Sequence, residues 1–330
     1  MTNCAASDVM PDALPSSIDR AWQARCALHD EAAGVDASQD AYRIFHGHHD
    51  GLRGLDIDRL GTSCLVSLKQ GLSRYVDAIV MGIASCHGFE RIVLRMHARH
   101  NPNPRPLSIT TLQGEAPQGP IEVRDNGMRF VIDLEADANP GLFLDARPAR
   151  RWLLGHSRGR RVLNLFAFTG SLGVAAAVGG AASVTHVDWN WSSLAVAQAN
   201  HAINGVPIEE RDLMRGDLYY HLPRAAKAGK SFDAIILDPP PEMPRSKRGH
   251  ARGQDYPRLT RLATSLLAPG AWLLCFFHGY EMTRKTFEDQ VLEASRCDLE
   301  VLWRGTSGDD FPEHDPEKKL RLTVFQRPQD

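Results

Sequence analysis

The run Val162-Leu-Asn-Leu-Phe-Ala-Phe-Thr-Gly-Ser-Leu-Gly173 limits what this chain can become more than any other stretch. A short apolar run climbs past Asn164, breaks into Phe-Thr-Gly-Ser-Leu-Gly, and enters an Ala/Val-rich segment. The pattern predicts a buried strand, a tight glycine turn and a helix N-terminus. Such a turn brings backbone N–H groups close to a small ligand. A second apolar strand, Ser183-Val-Thr-His-Val-Asp188, follows and ends in a carboxylate. At the end of the second strand of a parallel sheet, a carboxylate is placed to accept from the two hydroxyls of a ribose. A third marker is the apolar strand Phe232-Asp-Ala-Ile-Ile-Leu, which runs into Asp238-Pro239-Pro240-Pro241. The prolines stiffen the backbone and leave carbonyls without local N–H partners, so with Asp238 they offer a rigid acceptor array.

The rest of the chain fits around this core. Strands are expected at 161–165, 183–188, near 210–215, at 233–238 and at 270–277, with a final pair near 298–304 and 320–326. Alternating with helices, they predict a doubly wound α/β sheet with a predominantly parallel core. Upstream the period changes. Tyr42-Arg-Ile-Phe, Gly51 to Asp58 and Cys64-Leu-Val-Ser-Leu alternate between glycines, and Asp125-Asn-Gly127 reads as a hairpin turn. The expected organisation is a disordered tail to about residue 14 and a helix over 15–38, capped by Ser16 or Ser17. A smaller α+β domain over 39–137 with an RNA- or substrate-binding role and a Rossmann-like domain over 138–330 complete it.

Composition narrows the compartment and the chemistry. A net charge of −2 draws the chain to no polyanion as a whole, so any nucleic-acid contact must be local. Residues 245–261 supply such a patch with Arg245, Lys247, Arg248, His250, Arg252, Arg258 and Arg261, directly after the proline turn. Arg91, Arg95, His97, Arg99, His100 and Arg105 form a second cluster. Either is an RNA contact or a solvated, salt-bridged face, and contact is favoured for the first. The six cysteines form no CxxC pair, so neither a zinc site nor a disulfide framework is expected. A polar N-terminus with Asp8 and Asp12 is unlike a secretory signal, and no apolar run reaches membrane-spanning length. These features point to the reduced cytoplasm. Asp217, after the third strand, is read either as an acceptor from an adenine amino group or as a helix cap, with Trp189 and Leu218 as apolar neighbours for the ring.

Taken together, the three strand ends resemble a class I S-adenosylmethionine (SAM) methyltransferase. Ala41-Tyr-Arg-Ile-Phe-His, Asp50 to Arg59, Gly141-Leu-Phe-Leu-Asp-Ala-Arg147, Val162 to Gly170 and Asp238-Pro-Pro240 resemble, more narrowly, large-subunit ribosomal RNA methyltransferases. These are the group acting on C5 of cytosine and its sister acting on N7 of guanine. The resemblance covers roughly residues 40–326. It implies SAM as cofactor, RNA as partner and no metal. It implies cofactor contacts at Phe143, Asp145, Arg147, Asn164, Phe166, Thr169, Gly170, Asp188 and Asp217, and acceptor-side roles for Asp238, Pro239 and Pro240.

Three departures shape the expected chemistry. The N-terminal PUA domain usual in the cytosine-C5 group is not expected here. Where that group carries a nucleophilic cysteine, this sequence has His278, and Cys275 lies three residues earlier on the opposite face of a strand. C5 of cytosine is a poor nucleophile until a thiolate adds at C6, whereas a purine nitrogen has its own lone pair. The spacing from Asp238 to Ser246-Lys247-Arg248 resembles the guanine-N7 sister, although Pro241 departs from it. The expectation is therefore methylation of a purine nitrogen, guanine N7-like. Cytosine-C5 methylation and an inactive SAM- or RNA-binding assembly module are the alternatives. A nicotinamide oxidoreductase is disfavoured because GxGxxG is absent.

Overall fold

The computed structural model describes residues 9–28, 39–98, 105–137, 139–240, 255–279 and 282–329. They fall into two compact units, Met1–Leu144 with Gly308–His314, and Asp145–Ser307 with Asp315–Asp330. The division falls at Leu144/Asp145 rather than 137/138, and a short C-terminal stretch joins the first unit.

In the first unit, helix α1 (Leu14–Gln23) precedes strands β1 (Ala41–His46), β2 (Leu55–Leu60) and β3 (Ser63–Lys69). Helix α2 (Val76–Ala84) leads to β4 (Arg91–His97) and β5 (Ser108–Gln113). The sheet has the order β1-β2-β3-β4-β5, antiparallel except for the β3–β4 pair that α2 connects. Leu14, Ile18 and Trp22 of α1 and Ile79 and Ile83 of α2 bury one side of it against Tyr42, Ile57, Val66 and Leu68. Each such buried side chain contributes about 1.5–3 kcal/mol. A separate hairpin, β6 (Ile121–Asp125) and β7 (Met128–Ile132), turns at Asn126 and Gly127. Both have positive φ, as a two-residue hairpin with the right-handed twist requires.

The N-terminal expectation needs correction. Pro11–Ala13 is a 3-10 turn, and α1 stops at Gln23 rather than continuing to 38; residues 1–8 and 29–38 lie outside the described residues. Pro15 belongs in a first helical turn, so the helix starts early; after Gln23 the chain turns into a 3-10 segment whose Leu28 still packs on the core. Neither serine caps it. Ala13 stands at the cap, and Ser17 Oγ donates back to the Ala13 carbonyl.

The second unit opens with α3 (Arg147–His156). It continues through β8 (Arg161–Leu165), α4 (Ser171–Val178), β9 (Ser183–Asp188), α5 (Trp191–Ile203) and β10 (Leu213–Arg215). Then follow α6 (Leu218–Lys227), β11 (Phe232–Leu237), α7 (Tyr256–Thr264), β12 (Leu267–Phe277), α8 (Arg284–Ala294), β13 (Glu300–Thr306) and β14 (Arg321–Gln326). The strand order is β10-β9-β8-β11-β12-β14-β13; the first five are parallel, and β14 pairs antiparallel with both β12 and β13. Ala234 to Leu237 are fully buried, because a central parallel strand is covered on both faces. The doubly wound expectation holds. The chain moves outward from β8 to β10 and then crosses back to β11, so the order reverses between β8 and β11. Ligand crevices of open α/β sheets form at the carboxyl ends of the strands beside such a reversal.

Candidate active site

The carboxyl ends of β8, β9, β11 and β12 gather the candidate site residues Asn164, Asp188, Asp238 and His278. After β8 the backbone enters the left-handed region three times in five residues, at Phe166 (φ 58°), Phe168 (φ 48°) and Gly170 (φ 77°). Two of these are bulky aromatics, for which that conformation is costly, so the surrounding structure must hold it. Asp188 does much of the holding. One carboxylate oxygen accepts from the Phe168 amide at 2.7 Å and the other from the Asn190 amide at 2.8 Å.

Below the turn lies a buried polar relay that no local sequence pattern announces. Asn164, 1% exposed, presents Nδ2 to His186 Nδ1 at 3.1 Å. His186 Nε2 meets His201 Nε2 at 2.9 Å, and His201 Nδ1 meets the Val206 carbonyl at 2.9 Å. One set of tautomers satisfies all three contacts. Asn164 donates to His186, His186 donates to His201, and His201 donates to the carbonyl, with both imidazoles neutral. Burial, reinforced by His201, pushes His186 down to about 3, and burial also lowers His201. The two glycines of the motif pack on this relay. A Cβ on Gly173 would stand 2.2 Å from His186 Cε1, and one on Gly170 would stand 2.6 Å from Ala197 Cβ. Asn200 completes the support by donating to the Thr169 carbonyl at 2.9 Å. The only signal in the sequence is the position of His186, on the apolar side of an alternating strand.

Asp217 is the N-cap of α6, its Oδ1 accepting from the Tyr219 amide at 2.9 Å. Leu218 is buried in the core and is not a surface for an adenine ring, whereas Trp189 is 63% exposed beside Asp188. Phe166 packs against the core, Thr169 and Arg147 are buried, and Phe143, in the first unit, is 47% exposed.

The donor set fits SAM. An acceptor-only carboxylate stands at the end of β9 with lone pairs to spare beyond its two amides. Its exposed neighbour Trp189 offers a flat face for adenine. Helix α4 begins at Gly170 without a side-chain cap, leaving its first N–H groups for a ligand carboxylate.

At the end of β11, Asp238 Oδ1 meets His278 Nε2 at 2.7 Å; the side chains are 20% and 24% exposed. Pro239 is buried and Pro240 exposed. Burial opposes a charge on His278. The hydrogen bond to Asp238 and the charges of Asp238 and Asp145 outweigh it and raise the imidazole above its ordinary value. The structure thus brings Asp145, Asp238 and His278 together. Arg321, buried on β14, fixes the next residues by donating to the carbonyls of Gly279 and Met282, with its guanidinium 4.3 Å over the Phe277 ring. Cys275 lies on the other face of β12 among Leu237, Leu273 and Phe287. Burial pushes its thiol up to about 12, against the pull of the neighbouring Tyr256 hydroxyl. The Tyr256 hydroxyl also reaches the Leu237 carbonyl at 3.4 Å, under the Asp238 turn.

Arg245, Lys247, Arg248 and Pro241 lie outside the described residues; of the basic run, Arg258 and Arg261 are exposed on α7. Arg95 leaves the second cluster, since it is buried and donates to the Ala136 carbonyl. Among the described residues there is no group of three or more metal-ligating side chains, and no helix is long and apolar enough to cross a membrane.

Comparison with known proteins gives a consistent result. The profile of the S-adenosylmethionine-dependent methyltransferases matches residues 63–326. "Ribosomal RNA large subunit methyltransferase I" of Erwinia tasmaniensis is 30% identical over 270 residues, 78% of this chain and 66% of the relative. Its Klebsiella pneumoniae counterpart is 29% identical over 261 residues, 78% and 64% of the two chains. The chain therefore spans about two thirds of the length of these relatives. A Streptococcus mutans protein assigned as a SAM-dependent methyltransferase shares the fold with a TM-score of 0.83 at 23% identity, over 97% of this chain and 82% of that one. A structure with the same score is complexed with SAH.

Proposed function

The chain belongs to the S-adenosylmethionine-dependent methyltransferase family, and on that premise we propose that it methylates RNA, at a purine nitrogen of large-subunit ribosomal RNA. The RNA part of the reading draws on the names of the relatives and on the basic run that follows Asp238. The observation that carries the choice of atom is the acceptor end of β12. Cytosine-C5 chemistry needs a thiolate there. Cys275 instead faces the core with its thiol held neutral, and His278 occupies the strand end, hydrogen-bonded to Asp238.

Bound SAM supplies a methyl group already activated by its sulfonium. The protein's part is then to orient the acceptor and manage its protons. Asp188, Trp189 and the open end of α4 hold the cofactor in this reading, and Asp188 also locks the turn that presents it. Asp145 and Arg147 stand at the start of α3. Asp238 and the carbonyls of Pro239 and Pro240 receive the N–H edge of a base, which leaves its stack to reach them. The first unit and the 245–261 segment grip the surrounding RNA, and the work is done in the cytoplasm. Nucleoside mass spectrometry of ribosomal RNA from a deletion strain and its parent tests the proposal. One methylated purine missing from the deletion strain is the expected result, and loss of 5-methylcytidine would refute the choice of atom.

A further inference from the structure

Resting on the purine-nitrogen reading, we infer that Asp238 and His278 form a general-base dyad, and that the acceptor is a nitrogen bearing a hydrogen, an exocyclic amino group or a ring N–H, rather than N7. His278 Nε2 lies 2.7 Å from Asp238 Oδ1. A carboxylate only accepts, so Nε2 carries the proton, and in the neutral ring Nδ1 is left with its lone pair. Nδ1 has no hydrogen-bond partner among the described residues, and the side chain keeps 24% of its surface exposed at the strand end. A carboxylate fixing one nitrogen so that the other faces the reacting group is the arrangement by which proteins turn histidine into a directed base.

The surroundings favour that use. Asp238 and Asp145 stabilise an imidazolium once the proton arrives. From β14, Arg321 is turned onto the Gly279 and Met282 carbonyls, Glu317 and the Phe277 ring. From α7 and β12, Tyr256 and Cys275 contribute only neutral groups, since burial raises both.

The step balances. The acceptor nitrogen's lone pair forms the new bond to the methyl carbon, and the sulfur keeps the pair of the broken C–S bond. The nitrogen's own proton passes to His278 Nδ1, leaving an imidazolium beside the Asp238 carboxylate. N7 of guanine has no proton to give, so a base there would be idle.

The test uses the full chain, SAM and protein-free large-subunit ribosomal RNA. Single-turnover rates are measured across pH for wild type and His278→Gln, with SAM affinity from calorimetry and the product nucleoside from mass spectrometry. The expected product is a purine methylated at an amino or ring N–H nitrogen. The wild-type rate should rise with pH through an imidazole value above 6.5. His278→Gln should lose that limb and about 10²-fold or more in rate, with SAM affinity within about twofold. N7-methylguanine, or a His278→Gln enzyme with rate and limb intact, overturns the dyad and leaves the proposed function standing. A 5-methylcytidine product, or no methyl incorporated into RNA, ends the proposed function itself. Nitrogen-15 NMR of the imidazole reads the dyad independently of turnover. The expected spectrum shows Nε2 protonated and Nδ1 bare at high pH, with the titration moving down in Asp238→Asn; the opposite tautomer overturns the inference.

Discussion

Lowering the pH from 7.5 to 5 should destabilise the second unit by about 2 kcal/mol through His186 alone. The imidazole is fully buried, and each ring nitrogen already has a fixed role, Nδ1 accepting from Asn164 and Nε2 donating to His201. A second proton would sit on Nδ1 and face the Asn164 N–H, so that contact would have to be rebuilt. Burial therefore holds the folded value at about 3, against 6.5 in the unfolded chain. Between those values the unfolded state binds a proton that the native state refuses, so stability falls as pH falls. Each unit of pH below 6.5 costs about 1.4 kcal/mol per proton, hence about 2 kcal/mol at pH 5 and about 4–5 kcal/mol near pH 3. His201, lowered in the same direction, adds to the effect. Urea unfolding followed by tryptophan fluorescence suits the measurement, because Trp152, Trp189, Trp191, Trp272 and Trp303 lie in this unit. The control is His186→Leu. At pH 7.5 it should be less stable by about 1–3 kcal/mol, with the Asn164 and His201 groups left without a partner. It should also lose its share of the slope between pH 6.5 and 5. An identical slope in wild type and variant would show that His186 is not the group refusing the proton.

Two further outcomes rest on the geometry around β8 and β9, and a third on the basic run after the proline turn. Asp188→Ala should weaken SAM binding by about 1–3 kcal/mol in calorimetry, since it removes the ribose acceptor and the lock on the Phe168 amide; an unchanged isotherm contradicts the assignment. Gly173→Ala should destabilise the second unit by about 1–3 kcal/mol in urea, because the added methyl meets the His186 ring, itself pinned at both nitrogens. Replacing Arg245, Lys247 and Arg248 together with alanine should flatten the salt dependence of RNA binding by roughly 0.7–0.9 log–log units for each phosphate they neutralise, measured by filter binding, with SAM affinity unchanged.

The strand ends were legible because buried parallel strands must be apolar and their last residues must not be. Asp188 and Asp238 each close such a run. The Asn126-Gly127 hairpin was legible because few residues tolerate positive φ in succession. The N-terminal helix was overrun because the apolar spacing runs on to Leu28, which still packs on the core, while the backbone leaves the α-helix at Gln23 for a 3-10 turn. Asp217 was open between two readings that depend on where its oxygens point, and only coordinates put one of them on the Tyr219 amide.

By itself the sequence determined the alternation of strands and helices, the glycine turn after β8 and the carboxylates that end β9 and β11, since these follow from hydrophobic period and backbone sterics over a few residues. Tertiary structure decided the partnerships. Asn164, His186 and His201 read as three unrelated polar residues until parallel pairing of β8 with β9 sets Asn164 opposite His186 and α5 brings in His201. Likewise, His278 becomes a directed imidazole only because β11 and β12 pair in parallel and end at the same edge, 2.7 Å from Asp238. Hydrogen bonds and ionisation depend on distances of a few ångströms between residues far apart in the chain, and no local pattern encodes them.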